Sequence, residues 1–149
     1  MKRLLAAACL ACLAAPLAPP LSAAPLCDDL GFAGLLAKCN RGETIKLTLA
    51  SGQPLGENVA LQSGAYYKLE ITADGSAELA IEGPDFFRAI WMNEIVINKI
   101  EIRPMAIDSI EFDKAGVAEL SFIAIKPGNH VISIPGARGE TQQVTISIQ

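Results

Sequence analysis

The chain has 149 residues, with 12 Lys and Arg against 16 Asp and Glu, one His and four Cys. That length suits one domain plus a processing segment better than two domains. The acidic balance argues against nucleic acid and anionic membrane as partners, since both repel a negatively charged surface.

The first residues divide the chain. Lys2 and Arg3 form a short positive start, residues 4–15 (LLAAACLACLAA) are apolar, and a Pro-rich stretch with small residues follows (PLAPPLSAA). This is the layout of a secretory signal peptide, and its apolar run is too short to span a bilayer. Cleavage near Ala23 or Ala24 sets the expected organisation: residues 1–24 a signal peptide, residues 25–149 one mature domain. A lipid anchor on Cys9 or Cys12 is the competing reading, but it would require an unusually short apolar core. Cleavage removes Lys2 and Arg3, leaving 10 basic residues against 16 acidic ones and a net charge of −6. The 125 remaining residues are enough to bury one core without a structural metal. No other apolar run has the length of a spanning helix, so the expected location is the periplasm or the outside of the cell, with no membrane span.

Cys27 and Cys39 survive cleavage. In an oxidising compartment a pair this close in sequence is most simply a disulfide. A redox pair would want a CxxC spacing, and a metal pair a nearby His. Between them, DDLGFAGLLAK starts with Asp residues, ends with Lys and carries Leu30, Leu35 and Leu36, which predicts a short helix pinned by the disulfide over residues 25–43.

From residue 44 the period changes to two. Ile45, Leu47 and Leu49 alternate with Thr44, Lys46 and Thr48, predicting a half-buried strand. YYKLEITADGSAELAIE gives two alternating runs about Asp74-Gly75, a hairpin pattern because both turn positions accept positive φ. Pro127-Gly128, between VAELSFIAI and HVISI, predicts a second hairpin. The middle segment, residues 84–116, is rich in Ile, Phe and Val and reads as three short strands broken near Asn93, Arg103-Pro104 and Lys114-Gly116. With VTISI at the end, about eight strands at short spacing predict an all-β, antiparallel Greek-key β-sandwich.

KPGNHVISIPGARGETQQVTISI resembles the end of a cupredoxin: a Pro-Gly turn, a strand, a loop carrying another Pro-Gly, and a final alternating strand. IDSIEFDKAGVAELSFIAI resembles the strands that lead into it, so the likeness covers roughly residues 86–149 and, more faintly, 44–85. The resemblance implies a plastocyanin- or azurin-type frame over residues 44–149. It also implies a type 1 copper site made of two His, one Cys and an axial Met, with the Cys, one His and the Met in the loop before the last strand. The corresponding loop, residues 133–142 (SIPGARGETQ), contains no Cys, His or Met. No family ligand carries over, and the chain reads as a degenerate member without a blue-copper electron-transfer centre.

Two site hypotheses remain. His130, the only His, together with Met92 and Met105 would make a soft, Cu(I)-leaning set. The bland alternative is that the methionines fill core gaps. GPDFFRAIWMNE is the densest aromatic stretch; read as a strand, it puts Phe87, Ala89 and Trp91 on one face and Phe86, Arg88, Ile90 and Met92 on the other. It is either a central core strand or a docking patch anchored by Phe86, Arg88 and Trp91 and bordered by Arg103. Catalysis has little support. No GxSxG elbow or EF-hand pattern occurs, and Asp85, Glu94, Glu101, Asp108, Glu111 and Asp113 alternate with apolar residues as on the wet face of a sheet. The leading expectation is therefore an exported binding or accessory module, not an enzyme and without a cofactor, that meets a protein partner in the periplasm. Its rival is a periplasmic copper-handling protein with a non-standard Met/His site.

Overall fold

The computed structural model describes residues 26–149; the expected signal peptide, with Cys9 and Cys12, lies outside the described residues. The strands in chain order are β1 (Arg41–Leu49), β2 (Val59–Leu61), β3 (Tyr66–Ala73), β4 (Leu79–Glu82), β5 (Ile90–Ile97), β6 (Ile100–Ile102), β7 (Ser109–Phe112), β8 (Gly116–Ala124), β9 (Gly128–Ser133) and β10 (Gln143–Ile148). A single helical turn, α1 (Pro84–Phe87), precedes β5. Sheet I has the order β1-β3-β8-β5-β6 and sheet II the order β2-β10-β9-β4-β7. Antiparallel pairing dominates; β1 with β3 and β2 with β10 are parallel.

The period-two pattern produces this arrangement directly. Ile45, Leu47 and Leu49 of β1 are buried while Thr44, Lys46 and Thr48 are exposed. Leu69, Ile71, Leu120 and Phe122 of sheet I are buried, as are Ile81, Ile132, Val144 and Ile146 of sheet II, and all belong to one apolar cluster. Phe122 stands edge-on to Phe86, with ring centroids 5.4 Å apart, and 6.1 Å from the Tyr67 ring. Such ring pairs add to what burial alone contributes.

The two expected hairpins are not hairpins. β3 pairs with β1 and β8, whereas β4 pairs with β7 and β9, so the Asp74-Gly75 turn carries the chain from sheet I to sheet II. Gly75 has φ +76°, and a Cβ there would lie 2.7 Å from the Ala115 backbone nitrogen, so the turn needs glycine for two reasons. Pro127-Gly128 likewise links β8 of sheet I to β9 of sheet II. The bend at Gly75 matches the expectation, but Gly128 is already the first residue of β9; which sheet each flanking strand joins is decided by distant partners.

The middle segment also differs from its expectation. Strand β5 starts at Ile90, because Pro84 begins a helical turn in which Phe86 and Phe87 both face the core. Asn93 marks a register shift against β8 rather than a break. The unforeseen break is Asn98-Lys99, both at positive φ (49° and 66°), a two-residue turn joining β5 to β6.

At the N-terminal end Cys27 and Cys39 form the expected disulfide, with Cα atoms 5.8 Å apart. The helix between them takes the form of 3₁₀ turns at Gly31–Leu36 and Lys38–Asn40, because Gly31 and Gly34 adopt positive φ and interrupt any α-helix. Asn40, fully buried, fastens this segment. Its Oδ1 accepts the Leu26 N–H at 2.7 Å, and its Nδ2 donates to the carbonyls of Leu35 and Gly64, both at 2.9 Å. All three bonds satisfy groups that would otherwise be costly to bury.

Among the described residues no helix is long and apolar enough to cross a membrane. Replacing the central ring tests the core: Phe122→Ala should lower the unfolding free energy by about 3–5 kcal/mol, seen as a lower urea midpoint at unchanged slope.

Candidate functional site

The loop between β9 and β10 is where the resemblance places copper ligands. It is closed by backbone bonds instead: Ile134 N–H donates to Gln142 O at 3.0 Å, Ala137 N–H to Ile134 O at 3.1 Å, and Gln142 N–H to Gly139 O at 3.0 Å. Thr141 O also accepts the Leu55 N–H at 2.8 Å, and the Gln142 side chain donates to Gln53 O at 2.9 Å. No side chain of this loop is a soft donor, and the two described cysteines are joined to each other far from it. These residues do not fit a type 1 copper ion.

His130, Met92 and Met105 lie in three different environments. His130 is 8% exposed on β9, and its Nε2 is 3.1 Å from the Lys126 carbonyl, so that nitrogen carries the proton and donates. It lines a pocket of about 360 Å³ with Asp85, Arg88, Lys126 and Asn129. Met92, on β5 opposite Phe122, belongs to the core. Met105, between β6 and β7, is fully in solvent. Met92 packs in the core as a gap-filling methionine would, while Met105 is not core material.

Of the four expected docking residues, Phe86 is fully buried and cannot be a surface anchor. Arg88 is exposed and paired with Asp108 at 3.3 Å. Trp91 is 48% exposed on the solvent side of β5. Arg103 lies 3.3 Å from both Glu94 and Glu101.

The register places Trp91 in a row that crosses four strands. Arg41 of β1 is paired with Tyr66 of β3, Tyr66 with Ile123 of β8, and Ile123 with Trp91. The Arg41 guanidinium lies 5.1 Å from the centre of the Tyr66 ring. Tyr66 and Ile123 are outside the interior cluster although their own exposure is low, so this row is a second apolar layer on the outer face of sheet I. The next row is polar. Lys68 Nζ meets Glu119 Oε2 at 2.8 Å, and Asn93 Nδ2 donates to Ser121 Oγ at 3.2 Å. Between the rows runs a groove of about 270 Å³ whose wall includes Leu36 from the disulfide-bounded segment. Sequence reasoning found Trp91 and missed Tyr66, Ile123 and Arg41. Tyr66 was detectable, since it occupies the wet phase of YYKLEI with Lys68 and Glu70; Ile123, inside the unbroken run SFIAI, had no phase to read.

A third feature is an exposed acidic cluster. Carboxylate oxygens of Glu78, Glu111 and Asp113 lie within 4.8 Å of one another. The Glu78 pKa is raised, first by a hydrogen bond with Glu111 that favours the protonated form, then by repulsion from Glu111 and Asp113.

The chain that resembles a cupredoxin at its end has the implied frame: β8, the Pro-Gly turn, β9, a loop and β10, set in two facing sheets. The fold is cupredoxin-like. No family model matches the sequence, and the search of curated proteins returns no match. Solved structures share the outline. The blue copper oxidase of Nitrosomonas europaea is 13% identical over 62% of this chain and 30% of its own, with a TM-score of 0.48. The laccase-like multicopper oxidase of Ochrobactrum sp. is 11% identical over 66% of this chain and 23% of its own, also at 0.48. Auracyanin B is 10% identical over 71% of this chain and 88% of its own, at 0.42. This chain thus spans less than a third of either oxidase. Likeness at this level carries no activity across.

The acidic cluster yields a signed prediction. A raised carboxyl pKa means that the folded state holds the Glu78 proton more tightly than the unfolded chain does. The resulting stabilisation is present below the ordinary carboxylate value and lost as pH rises through the raised one. Glu78→Gln should therefore raise the melting temperature near neutral pH and leave it unchanged in acid, where Glu78 is protonated in both states.

Proposed function

We propose that this chain is an exported binding module of the periplasm, built on a cupredoxin-like frame without a blue-copper centre and without catalytic activity, that docks a protein partner through the outer face of sheet I. The supporting observation is the exposed pair Arg41 and Trp91 at the two ends of a row whose middle members, Tyr66 and Ile123, are buried and only support them. A half-exposed Trp beside a second apolar layer and an Arg is the composition on which protein interfaces concentrate their binding energy. Arg103, ion-paired to Glu94 at the margin of the same face, supplies a charged rim. Export rests on the N-terminal sequence and agrees with the Cys27–Cys39 disulfide, which needs an oxidising compartment to persist.

The absence of a copper centre rests on the donor-free loop. A Met/His copper site of three ligands would need Met105 to fold in from solvent, so no observation favours that second reading.

Photo-crosslinking from defined positions in exporting cells tests the docking face. A crosslinking residue at position 91 should give a discrete adduct, and one at position 131 should give none; Val131 is 42% exposed on the opposite sheet, close to the exposure of Trp91. Trp91→Ala should weaken the isolated complex by about 2 kcal/mol or more. Equal crosslinking from both positions, or none from position 91, contradicts the assignment.

A further inference from the structure

Strand β6 is the outer edge of sheet I, and its chemistry is self-complementary. It pairs with β5 as Ile97 to Ile100, Val96 to Glu101 and Ile95 to Ile102. The Asn98-Lys99 turn has two residues at positive φ, and a two-residue loop of this kind closes on a hydrogen-bonded pair. Ile97 and Ile100 are that pair. Hydrogen-bonded and non-bonded pairs alternate along an antiparallel ladder, so the backbone groups of Ile100 and Ile102 face β5 and those of Glu101 face the open edge. Arg103, just past the end of β6 and held extended by Pro104, continues the same phase.

The side chains alternate as well. Ile100 and Ile102 share the face of Ile95 and Ile97, which continues the core side of the sheet. They remain 64% and 44% exposed, so this apolar face continues past the point where sheet II covers it. On the other face Glu101 and Arg103 carry opposite charges. Natural sheet edges are commonly blunted by shortness and by charge. Here the strand is short, but its charges alternate in sign and do not repel every partner.

We propose that β6 pairs with β6 of a second copy of this chain, antiparallel about a two-fold axis through Ile102. Three symmetric registers use the outward-facing backbone groups. Centring on Glu101 sets Glu101 against its own copy, and centring on Arg103 sets Arg103 against its own copy; both place like charges directly opposite, which is destabilising. Centring on Ile102 sets each Glu101 against the other copy's Arg103, as two pairs that each exchange both backbone hydrogen bonds. The two Ile102 side chains then meet at the axis, and each Arg103, ion-paired to its own Glu94 and Glu101, gains the other copy's Glu101 as a further partner. The two overhanging apolar faces become one strip, as an isologous interface requires. Because β6 is only three residues long, the contact is smaller than a standard interface, and the dimer is a weak one, formed at micromolar concentration or above. This inference shares Arg103 with the rim of the proposed docking face, but its edge backbone hydrogen bonds and the Ile102 contact do not depend on that face.

Sedimentation velocity on the exported, disulfide-intact protein, over a dilution series from about 1 to about 500 µM, reads the outcome. The wild type should shift from monomer to dimer with concentration. Ile102→Lys, Glu101→Arg and Arg103→Glu, each checked for an unchanged circular dichroism spectrum, should each remove the shift. The double reversal, Glu101→Arg with Arg103→Glu, should restore it. A wild type that stays monomeric throughout, a single reversal that dimerises as the wild type does, or a double reversal that stays monomeric overturns the proposal.

Discussion

The structure depends on one constraint: the two sheets must close a single apolar core between them. Leu69, Ile71, Leu120 and Phe122 of one sheet meet Ile81, Ile132, Val144 and Ile146 of the other, and all of them are fully buried. Each inward residue fixes its neighbours outward, because strand side chains alternate. Burying Phe122 and Ala124 therefore turns Ile123 to the outer face, and burying Met92 turns Trp91 there too. The candidate docking row is a consequence of core packing read one residue out of phase. No separate scaffold is needed to present it.

The same closure fixes the loop before the last strand. Here the ends of that loop are already fixed by the six-residue pairing of β9 with β10, and its interior by hydrogen bonds to itself and to the Gln53–Leu55 segment. At the other end of the chain the disulfide and the three bonds of Asn40 hold the 3₁₀ segment, and Leu36 from that segment walls the groove beside Tyr66. An N-terminal staple and a self-bonded loop thus secure the two ends of the chain.

Much of this was legible in the sequence, in proportion to how local the cause was. Period two over Thr44–Leu49 located β1 and its buried face, and the Cys27, Cys39 spacing located the disulfide. The donor-free loop was visible by inspection. What failed was non-local. Asp74-Gly75 and Pro127-Gly128 do sit at chain reversals between strands, but nothing near them says that the strands they join lie in opposite sheets, since that is decided by β8, β9 and β10 far along the chain. Phe86 was read as a surface anchor because a strand was drawn through Pro84, where the proline starts a helical turn that sends both Phe86 and Phe87 inward. Grouping Met92 and Met105 with His130 rests on residue type alone; Met92 and His130 are buried, whereas Met105 stands in solvent. Tyr66 and Ile123 were missed for the opposite reason: each looks like core material until the register shows which face it occupies.

The central claim is that this is a cupredoxin-like frame whose work is binding and not copper chemistry. Its most direct test is a competition titration of the exported, disulfide-intact protein with Cu(I) and Cu(II) against chelators of known affinity, beside a His130→Ala variant. The account predicts no copper taken from the chelators by either protein. Stoichiometric binding by the wild type that is lost in His130→Ala would contradict it.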